Sequence, residues 1–341
     1  MKKIFLILLA AAAVSVSCAR ESASDTSGLN AEALAAYMQK YHSDAVRTAL
    51  GVYIYPALEV PGTGSEIGDE KYIRIHITSA DREGRLSSST LDSVNRSHGK
   101  YNPRNYYGPV IYYRGEDNLS AGLEQLLTGD GTSFGPMKEG GTRTALVPGW
   151  LMTRNRYDTE QEYISSESGT TTLYTITLVQ AIEEVDAWEK DSLARYIAAN
   201  YPDAREDSLV EGWYYVVTKP SKDTASLSSS EKIYCRYTLR DLGDRVIDSN
   251  IEKVARDNGF YSSDASYDPM LINWDADYTR ITMTSSENDV VDGFANAFLH
   301  MHPYEAGTAI FWSGLGYAAK GSGNTIPAYC PLKFDIELVD N

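Results

Sequence analysis

Four blocks of this 341-residue chain each recur once, in the same order and at similar spacing. YIRIHITSADREGRLSSST, beginning at Tyr72, is answered by IYCRYTLRDLGDRVIDSN, beginning at Ile233. EDNLSAGLEQLLTGDG is answered by ENDVVDGFANAFLHMH, and KEGGTRTALVPGWL by YEAGTAIFWSGLGY. TTTLYTITLV, which closes the first series, is answered by CPLKFDIELV at the end of the second. A chain that repeats its plan in register folds as two copies of one unit, because each copy brings its own core.

The blocks also state what the unit is made of. In Leu332-Lys333-Phe334-Asp335-Ile336-Glu337-Leu338 the apolar side chains fall at every second position. That period lays one face of a strand on a core and the other in water. Phe294, Ala297, Phe298 and Met301 instead follow a helical period and mark one short amphipathic helix in the second copy. Ahead of each copy runs a further helical segment. The first is Ala31 to about Tyr41, with Leu34, Met38 and Tyr41 near helical spacing; the second is DAWEKDSLARYIAANYP, with Trp188, Leu193, Tyr196 and Ile197 on one side. The expected organisation is α+β, with one module over 31–184 and another over 185–341. Residues 18–30 are small and polar and are expected to form a flexible tether.

The N-terminus bears on location. Met1-Lys2-Lys3 is basic, and Ile4 to Val14 is apolar, uncharged and too short to span a bilayer. Small residues then lead into Cys18, the pattern of a secretory signal over 1–17. A cysteine directly after them resembles a bacterial lipoprotein box, which implies lipidation of Cys18; ordinary signal cleavage beside an incidental cysteine is the alternative. The expected location is the cell envelope, with the chain anchored by lipid on the periplasmic or surface side of the outer membrane. Cleavage would remove Lys2 and Lys3 and take the formal charge from −16 to −18. So acidic a chain repels nucleic-acid backbones and anionic lipid surfaces, so nucleic acid is excluded as a partner. Membrane contact is then expected only through the acyl groups on Cys18. Cys235 and Cys330 remain, as a pair or as two buried thiols. His300-Met301-His302 lacks a third ligand and is not read as a metal site. Neither a metal nor another cofactor is expected.

From about Gly212 to Asn341 the chain resembles an FKBP-type peptidyl-prolyl cis-trans isomerase. The likeness rests on Tyr237-Thr238, on Asp248-Ser249 eleven residues later, and on Val290-Val291-Asp292-Gly293-Phe294 opening the short helix. It continues through Leu315-Gly316-Tyr317-Ala318, and through Ile326-Pro327 leading to the last strand. The resemblance implies two FKBP-like domains, each a five-stranded antiparallel sheet wrapped around a short helix. It also implies a shallow apolar pocket for a proline ring, lined by Tyr237, Ile247, Asp248, Val290, Val291, Phe294, Tyr317, Ile326 and Phe334. The partners it implies are proline-containing polypeptide clients. The expected function is a lipid-anchored folding helper of the envelope with a catalytic second domain; a non-catalytic binding module or surface scaffold is the alternative. Phe294 stands where the family usually has tryptophan, and Ile247 where it usually has an aromatic. The first copy keeps the framework and loses the signature: Ile77, Ser88, Leu123 and Tyr174 stand for Tyr237, Asp248, Phe294 and Phe334, with Trp150 the nearest counterpart of Tyr317. It is expected to be non-catalytic.

Overall fold

In the computed structural model, residues 23–166, 169–283 and 290–340 are described. The signal segment and Cys18 lie outside them. The first unit holds strands β1 (Val46–Arg47), β2 (Tyr53–Ile54), β3 (Tyr72–Ala80), β4 (Leu86–Ser89), β5 (Val110–Tyr113), β6 (Thr142–Val147) and β7 (Thr172–Ile182). Its helices are α1 (Ala23–Tyr41), α2 (Asp92–Ser97), α3 (Ala121–Thr128) and α4 (Glu160–Ser166). The second unit opens with α5 (Val185–Asn200), β8 (Arg205–Glu206), β9 (Trp213–Lys219), β10 (Ile233–Asp241) and β11 (Val246–Ser249). It closes with α6 (Glu252–Asp257), β12 (Met270–Asn273), β13 (Thr282–Met283), α7 (Asp292–Ala297), β14 (Ala306–Phe311) and β15 (Leu332–Val339).

The two sheets have the same wiring, and every pairing is antiparallel. The first runs β1-β2-β6-β7-β3 and the second β8-β9-β14-β15-β10. In each, two short strands share the free edge of the long central strand. β5 pairs with Tyr72–Ile75 while β4 pairs with Thr78–Ala80, just as β12 pairs with Ile233–Cys235 while β11 pairs with Thr238–Arg240. Even the irregularity recurs, with a register shift between Ser79 and Ala80 and another between Leu239 and Arg240. Each sheet packs its inner face on one short helix, α3 or α7, with Leu126 and Leu127 on the first and Phe294 and Phe298 on the second in the respective cores.

Three expectations need correction. The sheets carry seven and eight strands where five were expected, because two-residue strands extend an edge of each and β13 adds to β12. The lead-in helix starts at Ala23, inside the stretch read as a flexible tether. Once the segment from Ala31 is helical, extending it backward adds hydrogen bonds without a new nucleus, and no proline stops it. Last, the outer face of β15 is not all in water. Lys333 is 2 % exposed, its ammonium bonded to Asp244 and near the hydroxyls of Tyr196 and Tyr201. Alternation identified that face correctly, but α5 lies over part of it.

Helix α5 buries Val185, Glu189, Leu193 and Ile197, one turn apart. Glu189 is the unexpected member. Its carboxylate accepts the backbone N–H and the hydroxyl of Ser313, both at 2.6 Å. Burial pushes this carboxyl up, while the two hydrogen bonds pull it down. The pair ties the lead-in helix to the turn that precedes Tyr317.

Candidate functional site

The nine residues singled out in the second unit come from five parts of the chain and converge on one end of its sheet. Ile247, Phe294, Ile326 and Phe334 are buried in one core cluster, and Tyr237, Val290, Val291 and Tyr317 pack against it half-buried. The rings interlock: Phe294 lies 4.7 Å from Phe334 and 5.7 Å edge-on from Tyr237, and Phe311 stacks beneath Phe334 at 5.9 Å. Asp248 is exposed at the rim and accepts the Tyr237 hydroxyl at 2.7 Å.

Local sequence explains how each piece is held. The N–H of Tyr237 donates to the buried Asn250 side chain at 2.7 Å, and its carbonyl accepts the Ser249 hydroxyl at 2.6 Å. Sequence reasoning missed Asn250, which sits two positions beyond Asp248. Gly293 lets α7 lie against the sheet: a Cβ there would meet the Phe311 ring at 2.4 Å. Its carbonyl accepts the indole N–H of the buried Trp213 at 2.7 Å. Val291 is the N-cap of α7 and provides no side-chain cap, whereas Ser120, at the same place on α3, accepts the Leu123 N–H. The N–H of Val291 has no hydrogen-bond partner among the described residues.

The glycine-rich loop closes on itself. Ser322 and Ile326 exchange backbone hydrogen bonds, and Gly321 N–H donates to the Tyr317 carbonyl at 3.0 Å. Gly321 has φ +59°, and a Cβ on it would lie 2.4 Å from the Ile326 carbonyl oxygen, so only glycine fits. The first unit then grips this loop. Tyr106 N–H donates to the Asn324 carbonyl at 2.7 Å. The Arg245 guanidinium donates to the carbonyls of Thr325 at 2.6 Å and Arg104 at 3.3 Å, while its Nε is held by Asp241. Tyr329 meets Tyr72 edge-on. Nothing in the repeat pattern signals these contacts, because the repeat describes each unit alone.

Burial, and then the Asp248 carboxylate, push the Tyr237 phenol well above its ordinary range, and the same causes raise Tyr317. Both hydroxyls therefore stay protonated at neutral pH. Cys235 and Cys330 are free, buried thiols; burial raises both, Cys330 to about 12. His300 stacks on Trp213 and meets Asp207 at 2.8 Å, while His302 bonds the Ala225 carbonyl. Among the described residues no group of three or more His, Cys, Asp or Glu side chains is placed to hold a metal ion.

The corresponding end of the first unit is built differently. Registers equate Ile77 with Tyr237, Ser88 with Asp248 and Tyr174 with Phe334. Leu123 holds the third position of α3, as Phe294 does of α7. With the tyrosine and phenylalanine rings replaced by aliphatic groups, a cavity of about 220 Å³ remains among them. The Trp150 assignment is wrong. Strand registers and the 3-10 turns that follow make Trp150, which is buried, the equivalent of Gly314, leaving Thr153 at the position of Tyr317.

Two sheets of this topology, each holding a short helix against its concave face, define a tandem protein of one α+β class. Residues 224–339, within the second unit, match the family model of the FKBP-type peptidyl-prolyl cis-trans isomerase. Solved structures with similarity include a peptidyl-prolyl cis-trans isomerase from Pseudomonas syringae pv. tomato, at 17% identity and TM-score 0.31, covering 47% of this chain and 98% of that one. FkpA from Escherichia coli also has 17% identity and TM-score 0.31, over 46% of this chain and 58% of its own. The three FKBP domains of wheat FKBP73 align at 12% identity and TM-score 0.30 over 85% of this chain and 94% of theirs. No curated protein sequence matches the chain.

Proposed function

We infer that the chain is a peptidyl-prolyl cis-trans isomerase whose second unit does the catalysis. The observation that carries this reading is the Tyr237–Asp248 pair set over the Phe294–Phe334 contact, with Tyr317 and Ile326 completing the rim. The chemistry needs little more. An X-Pro bond prefers trans by only about 0.5–1 kcal/mol, and its slow rotation reflects amide resonance. The planar amide is the more charge-separated form, so an apolar pocket solvates it worse than water and favours the twisted one. The N–H of Val291 and the hydroxyl of Tyr317 are the donors that hold substrate carbonyls while the bond turns. The hydroxyl of Tyr317 has no hydrogen-bond partner among the described residues, which leaves it available to do so.

A protease-coupled assay with a short proline peptide tests this on the whole chain. The expected result is faster cis-to-trans conversion in proportion to enzyme. Peptide binding with no turnover would leave the second unit a binding module and end the catalytic reading. Tyr317→Phe, which removes only a hydroxyl, should lower kcat/KM about 10-fold, the worth of one hydrogen bond of about 1.4 kcal/mol. Because both phenols stay protonated, activity should be flat from about pH 6 to 8. A bell-shaped profile would reveal acid–base chemistry outside this scheme.

The envelope location belongs to the same reading and rests on residues 1–18. Cys18→Ala is expected to move the protein from the membrane fraction to the soluble one, and unchanged partition would remove the lipid anchor. Among the described residues no helix is long and apolar enough to cross a membrane.

A further inference from the structure

The cavity of the first unit opens toward its neighbour. Ile77, Leu123 and Tyr174 line it half-buried, Tyr112 stands at its edge 41 % exposed, and every residue lining it is uncharged. Ile77, Ser88 and Tyr112 also line a second cleft, of about 520 Å³, which runs on between the units. The far wall of that cleft is Gly323, Asn324, Pro327 and Ala328, the loop that carries Ile326. One continuous depression therefore joins the aliphatic cavity of the first unit to the rim of the site in the second.

The lining of the cleft points to its occupant. It is built of serine, threonine, asparagine and tyrosine with a few aliphatic groups, and Lys100 is its single charged residue. Lys100 is itself spent on the Leu86 carbonyl. Neutral hydroxyls and amides suit the main chain of an extended polypeptide, which is rich in N–H and C=O groups and carries no charge. The cavity at its end, uncharged and large enough for one bulky side chain, suits a leucine-like group. We propose that the first unit is a docking subsite for the same polypeptide whose proline lies in the second. The aliphatic residue is taken where Tyr237 and Phe294 have no aromatic counterpart, and the intervening chain runs along the cleft. The substrate class is thus an unfolded segment with a large aliphatic residue at a fixed separation from its proline. The loss of the aromatic signature in the first unit becomes a change of ligand, from a proline ring to an aliphatic side chain.

This inference deepens the isomerase reading and rests on it only in its turnover arm. The test uses the full chain and a series of labelled single-proline peptides in which one leucine is moved stepwise away from the proline. Binding is measured by fluorescence anisotropy and turnover by the protease-coupled assay. One separation should bind about tenfold tighter than the leucine-free peptide, with a matching fall in KM, as expected when one large aliphatic side chain leaves water. Leu123→Trp, which fills the cavity, should erase that advantage. Tyr112→Ser, on an exposed side chain that carries little of the fold, should reduce it. Affinity that ignores leucine position, or an advantage that survives both substitutions, overturns the proposal. If no peptide turns over, the isomerase reading fails, and the anisotropy series still decides the docking site by the same two criteria.

Discussion

Phe334→Ala in the full chain is expected to abolish turnover of short proline peptides and to cost roughly 3–5 kcal/mol of stability. Phe334 is 6 % exposed, 4.7 Å from Phe294 and 5.9 Å above Phe311, so truncation leaves a hole at the centre of the aromatic cluster. Water admitted there solvates the planar amide and removes the differential that favours the twisted one. Asp248→Asn should do much less, because an asparagine oxygen still accepts the Tyr237 hydroxyl and no proton moves. Chemical denaturation separates a folded, inactive variant from an unfolded one. The first unit is untouched in this variant, so residual turnover by folded Phe334→Ala would show that catalysis is not confined to the second. A larger loss from Asp248→Asn would overturn the apolar mechanism itself.

Gly293→Ala is expected to be nearly as damaging although it adds one methyl group. The new Cβ would stand 2.4 Å from the ring of Phe311, which is fully buried and stacked under Phe334. Neither ring has space to retreat, so α7 must move, and it carries Val291 and Phe294 with it. Overpacking of this kind costs about 1–3 kcal/mol. With the donor and the pocket floor displaced together, kcat/KM should fall tenfold or more. Gly122 occupies the same helix position in the first unit, where a Cβ would meet the tip of Val147 at 2.3 Å. Gly122→Ala should therefore destabilise its own unit and leave short-peptide turnover alone. Equal activity of Gly293→Ala and wild type would mean that α7 is not pinned as described.

Most of the architecture was legible because it was written twice. Matching Tyr72–Ala80 to Ile233–Asp241 gives the central strands, and the equivalences Ile77 with Tyr237 and Tyr174 with Phe334 survive in the strand registers. What failed was whatever lies between elements. Lys333 reads as a solvent-facing residue because alternation shows which face a side chain takes and not what is later laid over it. Trp150 is matched to Tyr317 by local likeness, an aromatic beside a glycine, whereas the strands and the turns that follow them run in step and place it three residues earlier. Asn250 and Glu189 were invisible for a similar reason: a buried polar residue is recognised by its partners, and these lie 13 and 124 residues away. The cavity of the first unit is legible only as small residues in place of large ones.

Arg245 has a near-twin in Arg85. Each closes a turn by bonding the aspartate four residues before it, Asp241 in one case and Asp81 in the other. Arg85 goes no further than neighbouring acids on its own surface, while Arg245 reaches the backbones of Arg104 and Thr325. On the far side of this bridge the Arg104 carbonyl and the Tyr106 N–H are main-chain groups, and side chains join them: the Tyr106 ring lies 5.7 Å from the Arg245 guanidinium, and the Arg104 guanidinium 4.4 Å from the Phe260 ring. Mutational drift at Arg104 or Tyr106 can therefore cost a ring contact while leaving the main-chain hydrogen bonds to the second copy in place. The junction is thus shared between main-chain bonds, which outlast a change of side chain, and the Tyr72–Tyr329 ring pair, which does not, so the positions of the first copy are free to diverge at unequal speeds.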